Sequence, residues 1–252
     1  VPEFAHIPMI LGPDKTRLSK RHGATSVTQY RDDGFLPDAM VNYLALLGWG
    51  FDDSQTVFSK GELVEKFSLE RVSKNPAVFD VQKLEWLNGL YIREMDIDEL
   101  NDAARGFWPE AGRTAEPAQE KAILALLQSR LKRLDEIPRQ AALFFSDPQE
   151  YEAAAAAKGL LSTENIQILE FLDRALDSVP DFEEESLKPV FAQAMDEFQC
   201  KLGVIMQPLR VALTGTTSSP SLYQVLPLLG PETVLRRIRR ALAYARAEKG
   251  ER

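Results

Sequence analysis

Arg17-Leu18-Ser19-Lys20-Arg21-His22-Gly23 is the densest cluster of phosphate-binding side chains in this 252-residue sequence, and the rest of the chain is interpreted around it. A turn signal, Gly12-Pro13-Asp14-Lys15, precedes it. Cations on a glycine-flanked loop suit a polyphosphate on which negative charge grows during a reaction. A solvated turn with incidental charges would have the same composition, because basic clusters alone are weak signals. No Walker-type phosphate loop occurs in the sequence.

A resemblance to a known family extends over most of the chain, from residue 4 to about residue 215. It is carried by the loop with its flanks (residues 6–27) and by three further stretches, 37–49, 79–88 and 207–215. With these stretches the sequence resembles the bacterial-type glutamyl-tRNA synthetases, a branch of the class I aminoacyl-tRNA synthetases. The second signature of the class, Lys-Met-Ser-Lys-Ser (KMSKS), commonly reads Lys-Leu-Ser-Lys-Arg-His-Gly in this branch. Arg17 replaces the first lysine, which keeps the charge but not the compact ammonium.

The other signature of the class, of the type His-Ile-Gly-His, is missing. His6 and His22 are the only histidines, and the chain starts at Val1 rather than at a methionine. We therefore interpret the chain as the C-terminal portion of a longer enzyme, which lacks the catalytic nucleotide-binding half. This portion alone is expected to be inactive in glutamate activation.

Composition excludes several classes of protein. No apolar run approaches the ~18–20 residues that cross a bilayer, and the N-terminus does not resemble a signal peptide. The single cysteine, Cys200, excludes an intramolecular disulfide framework and a multi-cysteine zinc site; we expect it to be buried or half-buried, and we expect a cytoplasmic location. The net charge of −8 argues against non-specific nucleic-acid binding by the whole surface, but it leaves room for a local basic face.

The hydrophobic pattern predicts a mainly α protein. Residues 1–36 are expected to be irregular or mixed, with a short β-prone run at 27–30. A helix is predicted from Pro37 to a stop at Gly48, and Ser59 with Glu62, Asp80, and Asp96 with Glu99 are predicted helix starts. After a break at 109–117, helices are predicted at 118–129, 134–145, 148–158, 163–178, 183–202, 208–213, 221–229 and 232–247.

The resemblance implies a mixed stem-contact segment that carries the KMSKS-like loop, followed by an all-helical, two-part anticodon-binding region. The expected domains are residues 1–95 for the loop and the stem-contact domain, 96–146 for the first anticodon-binding subdomain and 147–252 for the second.

In the loop, Lys20 is the main catalytic candidate, because a mobile ammonium can stabilise the charge that develops on a departing pyrophosphate. Ser19 can donate to a phosphate oxygen or to the loop itself. Arg17 and Arg21 are expected to bind ATP with Lys20, or to contact the acceptor end of the RNA. For His22, a turn-stabilising hydrogen bond is favoured over a chemical role.

Two basic clusters are candidates for RNA contact. Their members are Lys121, Arg130, Lys132, Arg133 and Arg139 in the first, and Arg236, Arg237, Arg239, Arg240 and Arg246 in the second. The predicted tRNA-binding residues are Arg130, Lys132, Arg133, Arg210, Arg236 and Arg240. In the resembled family an arginine near the first cluster reads the third anticodon base, and the sequence leaves open whether Arg130 or Arg133 corresponds to it.

Three further expectations concern the surroundings of these clusters. Arg236, Arg240 and Arg237 are predicted to share a solvated face of the C-terminal helix, opposite an apolar face. Arg210 either faces RNA or locks a helix terminus. Trp49 and Trp86 are interpreted as core aromatic residues rather than as base-stacking platforms.

The resemblance implies that the full-length enzyme activates glutamate with ATP and Mg²⁺ and transfers it to the 3′ end of the glutamate tRNA. The glutamine tRNA is a second candidate substrate. ATP and glutamate would bind through the missing N-terminal half, and no zinc is expected in this portion. We expect no membrane association and, by default, a monomer. The alternatives are a free-standing tRNA-binding helical module, a structural helical scaffold and a truncated paralogue that modifies a tRNA base; the last lacks a long anticodon-binding region.

Overall fold

The computed structural model describes residues 1–2, 4–23, 26–52, 54–110, 112 and 116–250. α-Helices dominate the described chain, which confirms the mainly α prediction. The helices are α1 (Val27–Asp32), α2 (Pro37–Leu46), α3 (Lys60–Lys66), α4 (Val81–Glu94), α5 (Ile97–Ala104), α6 (Pro117–Gln128), α7 (Ile137–Phe145), α8 (Ala153–Gly159), α9 (Thr163–Asp177), α10 (Glu184–Glu197), α11 (Leu202–Thr214) and α12 (Leu222–Glu248). Two short strands, β1 (Ile10–Leu11) and β2 (Ala77–Val78), pair in parallel, with Ile10 opposite Ala77.

The chain divides into two compact units, each with its own core. Unit 1 comprises Val1–Arg113 and Leu127–Gln140, and unit 2 comprises Thr114–Leu126 and Ala141–Arg252. The two units are defined by the contacts within each of them. The three functional domains expected from the sequence are a different division and stay a prediction.

The predicted capping box at the start of α3 is confirmed. The Glu62 N–H donates to Ser59 Oγ at 3.2 Å, and the Ser59 N–H donates to a Glu62 carboxylate oxygen at 2.8 Å. The Ser59 N–H and the ammonium of Lys66 together lower the pKa of Glu62 to about 2. Both partners thereby satisfy backbone groups that a helix start leaves unpaired.

Two other predicted helix starts are confirmed as well. A carboxylate oxygen of Asp80 accepts the Lys83 N–H at 3.1 Å at the start of α4. Asp96 caps α5, although its carboxylate accepts the N–H of Asp98, at 2.8 Å, rather than that of Glu99. Short local bonds of this kind are visible in sequence because they join residues two or three positions apart.

The β-prone interpretation of residues 27–30 is wrong, because these residues begin helix α1. The helix turns Tyr30 into the core of unit 1, where its ring lies 5.5 Å from that of Phe35 and 5.6 Å from that of Phe79. β-Propensity is weak and depends on the packing that a side chain finds. Burial of one aromatic ring therefore outweighs the local preference of this short segment.

A buried amide connects three parts of unit 1. Asn88, in the middle of α4, is completely buried. Its Oδ1 accepts the N–H of Leu36 at 2.8 Å, and its Nδ2 donates to the carbonyl of Lys132 at 2.6 Å. The start of α2 and the loop before α7 are thereby fixed to the same helix.

Unit 2 is built around α9, α11 and α12. Ile166, Leu169, Leu172 and Leu176 of α9 are buried. The two helices predicted at 221–229 and 232–247 form one element, α12, which is kinked at Gly230, where φ is +75°. A left-handed backbone angle of this kind suits glycine and interrupts the helical hydrogen bonds, so the predicted gap corresponds to a kink.

The expectation that Arg237 lies on the solvated face of the C-terminal helix is wrong, since its side chain is only 1% exposed. Its Nε donates to Asp147 at 2.8 Å, and its two terminal nitrogens donate to the carbonyls of Leu143, Leu213 and Ser146 at 2.8–2.9 Å. Arg236 also binds Asp147, through two hydrogen bonds of 3.0 Å. A buried guanidinium is tolerated because its donors are paired.

Arg237→Ala should lower the free energy of unfolding by about 3–5 kcal/mol, because it leaves the partners of a buried charge unpaired. The matched control is Arg239→Ala. Arg239 lies on the same helix as Arg237, and its half-exposed guanidinium pairs with Asp173 of α9 at 2.8 Å. The control should cost no more than about 1 kcal/mol. Urea denaturation followed by circular dichroism measures both values, and equal losses would contradict the structural role of Arg237.

The same network makes a prediction about pH. Arg236 and Arg237 hold the pKa of the Asp147 carboxyl well below its usual value of 3.8. A depressed native pKa stabilises the fold fully above the unfolded pKa and progressively less as the pH falls through the native one. The stability difference between the native chain and Asp147→Asn should therefore be constant near neutral pH and should shrink below pH ~4. A difference that grows on acidification would contradict this.

Asn88→Ala should cost about 1–3 kcal/mol, because the Leu36 N–H and the Lys132 carbonyl lose their partner. The exposed Asn75→Ala is the control and should change stability by no more than about 0.5 kcal/mol. Hydrogen exchange at the Leu36 amide gives a local readout. If that amide exchanges at the same rate in both variants, Asn88 does not hold the start of α2.

Candidate nucleotide loop and nucleic-acid interface

The loop between β1 and α1 is closed by its own backbone. The Gly12 N–H donates to the Thr16 carbonyl at 2.8 Å, and the Lys15 N–H donates back to the Gly12 carbonyl at 2.9 Å. The Leu18 N–H then donates to Ile10 at 3.0 Å, so the chain returns alongside β1. A single 3₁₀ turn, Lys20–His22, completes the loop and contains Lys20 and Arg21 of the KMSKS-like segment.

His22 is the internal support of the loop, with a side chain that is only 8% exposed. Its Nδ1 accepts the Ser19 N–H at 3.0 Å, because a backbone amide can only donate. Nε2 lies 3.2 Å from Asp14 Oδ1 and can donate to it. Gly12 lies against the ring: a Cβ there would come within 2.9 Å of it. The turn-stabilising role predicted for His22 is confirmed.

The carboxylate of Asp14 accepts hydrogen bonds from two further residues of the loop, Thr16 and Arg21. It accepts the Thr16 hydroxyl at 2.7 Å and the Thr16 N–H at 3.0 Å, and Arg21 approaches it at 3.3 Å. The hydrogen bonds from Thr16, followed by that from His22, hold the pKa of Asp14 well below its usual range. Asp14 is therefore ionised at neutral pH and partly neutralises Arg21.

The predicted site residues of the loop lie close together in sequence, but their side chains differ in exposure and in the number of polar partners. Ser19 is half-buried, with its Oγ 3.2 Å from His22 Nδ1. Arg21 is tied to Asp14 and to the Thr16 hydroxyl. Lys20 and Arg17 are exposed, and neither side chain has a hydrogen-bond or ion-pair partner within the part of the chain that the structure describes. Ala24 and Thr25, which continue the signature, lie outside the described residues.

The first basic cluster follows α6 in unit 1. Arg130 and Lys132 are exposed, and among the described residues their side chains have no polar partner. Arg133 is half-buried: its guanidinium lies 3.6 Å from Glu85 and 3.1 Å from Asp135, and 5.7 Å from the centre of the Phe35 ring. The charges of Arg130 and Lys132 are therefore exposed to solvent, whereas Glu85 and Asp135 partly neutralise the charge of Arg133.

The second basic cluster is largely neutralised within unit 2. Arg236 is paired with Asp147, and Arg240 donates to the carbonyl of Gln149 at 3.2 Å. Arg246 approaches Glu170 at 2.6 Å. Arg210 donates from its Nε to Ser219 Oγ at 3.0 Å, so it fixes the segment that follows α11. Of the two interpretations of Arg210, the one in which it locks a helix terminus matches this contact.

One of the two tryptophans interpreted as core residues is exposed. Trp49 is buried at 4% exposure, as predicted, but Trp86 is 47% exposed, so its interpretation as a core residue is wrong. The spacing of α4 contains the signal: Leu84, Leu87 and Asn88 face the core, and Trp86 falls outside their three-and-four pattern. Cys200 is half-buried, within the predicted range.

The described residues contain no group of three or more His, Cys, Asp or Glu side chains that could hold a metal ion. Within the same residues, no helix combines the length and the apolar composition needed to cross a membrane.

Comparison with known proteins identifies both parts of the chain. Residues 96–242 match the family described as anticodon binding domain, and residues 1–86 match the catalytic domain of the class I tRNA synthetases for glutamate and glutamine. The glutamate–tRNA ligase of Moorella thermoacetica is 38% identical over 98% of this chain and 51% of its own length, and that of Geobacter sulfurreducens is 44% identical over 97% and 52%.

A solved structure, the crystal structure of a glutamate tRNA ligase from Elizabethkingia meningosepticum, superposes with a TM-score of 0.85 at 28% identity. It is matched over 96% of this chain and 52% of its own. The chain thus spans about half the length of the relatives it matches. It belongs to the glutamyl-tRNA synthetase family, of which it carries a part of the catalytic domain and the anticodon-binding domain.

Proposed function

We propose that the chain is the tRNA-binding portion of a glutamate–tRNA ligase, a cytoplasmic enzyme that activates glutamate with ATP and esterifies it to the 3′ end of its tRNA. The observation that carries the proposal is a single chain in which a KMSKS-like loop, with Lys20 and Arg17 unpaired among the described residues, precedes an anticodon-binding domain. A binding module without a catalytic partner has no use for such a loop. The division into residues 1–95, 96–146 and 147–252 is part of this proposal.

In the proposed reaction, the carboxylate of glutamate attacks the α-phosphorus of ATP, and pyrophosphate leaves. Negative charge grows on the leaving group, and Lys20 is free to follow it, since no internal ion pair holds its ammonium among the described residues. A positioned cation that binds the leaving group more strongly in the transition state than in the ground state accelerates the step. The backbone of Ser19, held by His22, gives Lys20 a fixed base. Mg²⁺ would arrive with the phosphates of ATP and share their charge.

For tRNA, we propose that Arg130 and Lys132 make contacts in the anticodon-binding region. A guanidinium can meet the edge of a base through two parallel hydrogen bonds. Arg130 can do so at once, whereas Arg133 would first have to leave Glu85 and Asp135. Arg210, Arg236 and Arg240 are proposed as contacts to phosphates that keep their internal partners. Whether the glutamine tRNA is also charged depends on the same anticodon contact.

The function is tested by equilibrium binding of this chain to the glutamate tRNA across a salt series, with each anticodon base changed in turn. Binding should weaken steeply with salt, and one anticodon change should weaken it by about 5-fold or more. Arg130→Ala should reduce both the affinity and the penalty for that change, while Lys60→Ala, which removes an exposed cation that belongs to neither basic cluster, should leave both unaltered. Absent binding, or binding indifferent to the anticodon, would refute the proposal.

The loop is tested in a longer protein that carries the whole catalytic domain. Lys20→Ala should lower the kcat of glutamate-dependent exchange between ATP and pyrophosphate by about 10²–10³-fold, the usual effect of removing one group that stabilises developing charge. The exposed Lys60→Ala on α3 is the charge-matched control and should retain full exchange. A loss confined to KM would mean that Lys20 contributes to ATP binding but not to the chemical step.

A further inference from the structure

Arg130 and Lys132, the two residues proposed to contact the anticodon region, lie on the segment 129–136 between α6 and α7. The segment is called the Arg130 loop here, and it belongs to unit 1. A side chain on a loop selects one base over another only when neighbouring residues hold its backbone in place, because a contact displaced by about 1 Å loses its geometry. The contacts that hold the Arg130 loop therefore bear on the selectivity of the site.

Helix α4 holds the first half of the Arg130 loop. Gln128, which ends α6, donates through its Nε2 to two carbonyls at the end of α4, each at 2.8 Å. The Nδ2 of Asn88 donates to the Lys132 carbonyl at 2.6 Å. Leu131, the residue between the two exposed cations, is completely buried. The backbone on both sides of Arg130 is thus fixed, while its side chain is exposed.

The turn before α2 holds the second half of the loop. The Leu134 N–H donates to the Gly34 carbonyl at 3.0 Å. Gly34 has a φ of +82°, and a Cβ on it would lie 2.4 Å from the Asp135 nitrogen. A residue with a side chain does not fit this approach, since the atoms that it would meet belong to the backbone. The Arg130 loop therefore lies directly against the turn.

Arg133 connects these two attachments. Its Nη1 lies 3.6 Å from Glu85 of α4, and its Nε lies 3.1 Å from Asp135 of the loop itself. The centre of its guanidinium lies 5.7 Å from the centre of the Phe35 ring, in the turn before α2. One side chain thus contacts the helix, the turn and the loop, and it is only 29% exposed.

The carboxylates around Arg133 need its positive charge. Burial raises the pKa of Asp135, and the guanidinium opposes this rise. Glu85 is also half-buried, so removal of the cation would leave two half-buried carboxylates without this counter-charge. A lysine would keep the charge, but its compact ammonium does not span both partners as a planar guanidinium does. Binding of Arg133 to RNA would therefore require that both carboxylates give up their counter-ion.

We propose that Arg133 is a positioning residue for base selection: its ion pairs hold the Arg130 loop on α4, so that the guanidinium of Arg130 meets one anticodon base in the correct geometry. Arg133 itself does not contact RNA. When the loop is loosened, Arg130 can still reach a phosphate, which every nucleotide offers, but its two parallel hydrogen bonds to a base edge lose their alignment. The inference rests on the proposed function, since it assigns the selectivity of that site to a residue that touches no RNA.

The first test compares the Kd for the glutamate tRNA with the Kd for the transcript that carries the discriminated anticodon change. Arg133→Ala should reduce the penalty for the change from about 5-fold or more to less than about 2-fold. The salt dependence of binding should stay the same, because no phosphate contact is removed. Arg133→Lys should also lose most of the penalty, since charge alone does not restore the two ion pairs.

A direct RNA contact by Arg133 predicts a different pattern for the same two variants. If Arg133 touched a phosphate, the alanine variant would lower the salt slope by about one unit and keep the penalty for the changed base. The lysine variant would then bind both RNAs like the native chain, because an ammonium also binds phosphate. Either result would overturn the positioning role.

Glu85→Gln tests the other side of the same ion pair. It leaves the charge of Arg133 intact but weakens its attachment to α4, so the penalty for the changed base should fall again. A direct contact predicts the opposite, since an arginine released from its carboxylate would bind RNA more strongly and leave the penalty intact. Glu65→Gln on α3 is the control, because it removes an exposed carboxylate of the same charge. It should affect both RNAs alike and leave the penalty at its native value.

Hydrogen exchange gives a second readout that needs no RNA. The Leu134 amide, which donates to Gly34, reports on the attachment of the Arg130 loop. Arg133→Ala should accelerate its exchange by about 3-fold or more, while amides in the middle of α4 keep their native rates. Unchanged exchange at Leu134 would overturn the positioning role. Equal acceleration throughout α4 would overturn it as well, because Arg133 would then stabilise the whole unit rather than the loop.

The outcomes separate this inference from the proposed function. If the native chain binds the tRNA with dependence on the anticodon, and the penalty survives in Arg133→Ala and Glu85→Gln, the positioning role is wrong and the function stands. If the native chain shows no dependence on the anticodon, the proposed function fails, and the positioning role fails with it whatever the exchange rates are.

Discussion

The second unit depends on one guanidinium that has no access to water. Arg237 cannot be deprotonated at working pH, and burial in a low-dielectric interior would be prohibitive if its donors were unpaired. Each partner it takes is therefore held in place: Leu143 and Ser146 at the end of α7, Leu213 in the last turn of α11, and Asp147 between α7 and α8. A cation at the carbonyl ends of helices also meets the negative end of their dipoles. A lysine, with one compact ammonium, could not span these partners.

Unit 1 applies the same rule with an amide and an imidazole side chain. Asn88 pairs the backbone of Leu36 and Lys132, and His22 pairs Ser19 with Asp14. In both cases a buried polar side chain fixes a surface segment whose own cation stays free. In each case the hydrogen bonds of an amide or imidazole side chain hold the backbone, and the exposed cation beside it takes no share in them. Lys20 and Lys132 are thus exposed, without a polar side-chain partner among the described residues, on a backbone that hydrogen bonds hold.

A structural feature could be predicted from the sequence when the residues that interact are close together along the chain, and not when they are far apart. The caps at Ser59, Asp80 and Asp96 join residues two or three positions apart, so the sequence displays both partners. The burial of Arg237 depends on carbonyls 24 to 94 residues away, which no local pattern contains. The helix at 27–32 likewise follows from the packing of Tyr30 against Phe79 rather than from local propensity. Trp86 is a different case, since the spacing of its own helix was sufficient to place it outside the core.

The distribution of charge explains how an acidic chain can present a surface for RNA. In unit 2, carboxylates neutralise arginines of α12, as in the contacts of Arg239 with Asp173 and of Arg246 with Glu170. Exposed pairs of this kind add little stability, but they remove free positive charge from that surface. The unpaired carboxylates elsewhere repel a polyanion over distances up to the Debye length of about 10 Å. An RNA would thereby be directed to the cations that no carboxylate neutralises, and the affinity of those few contacts would matter more than the net charge of the whole molecule.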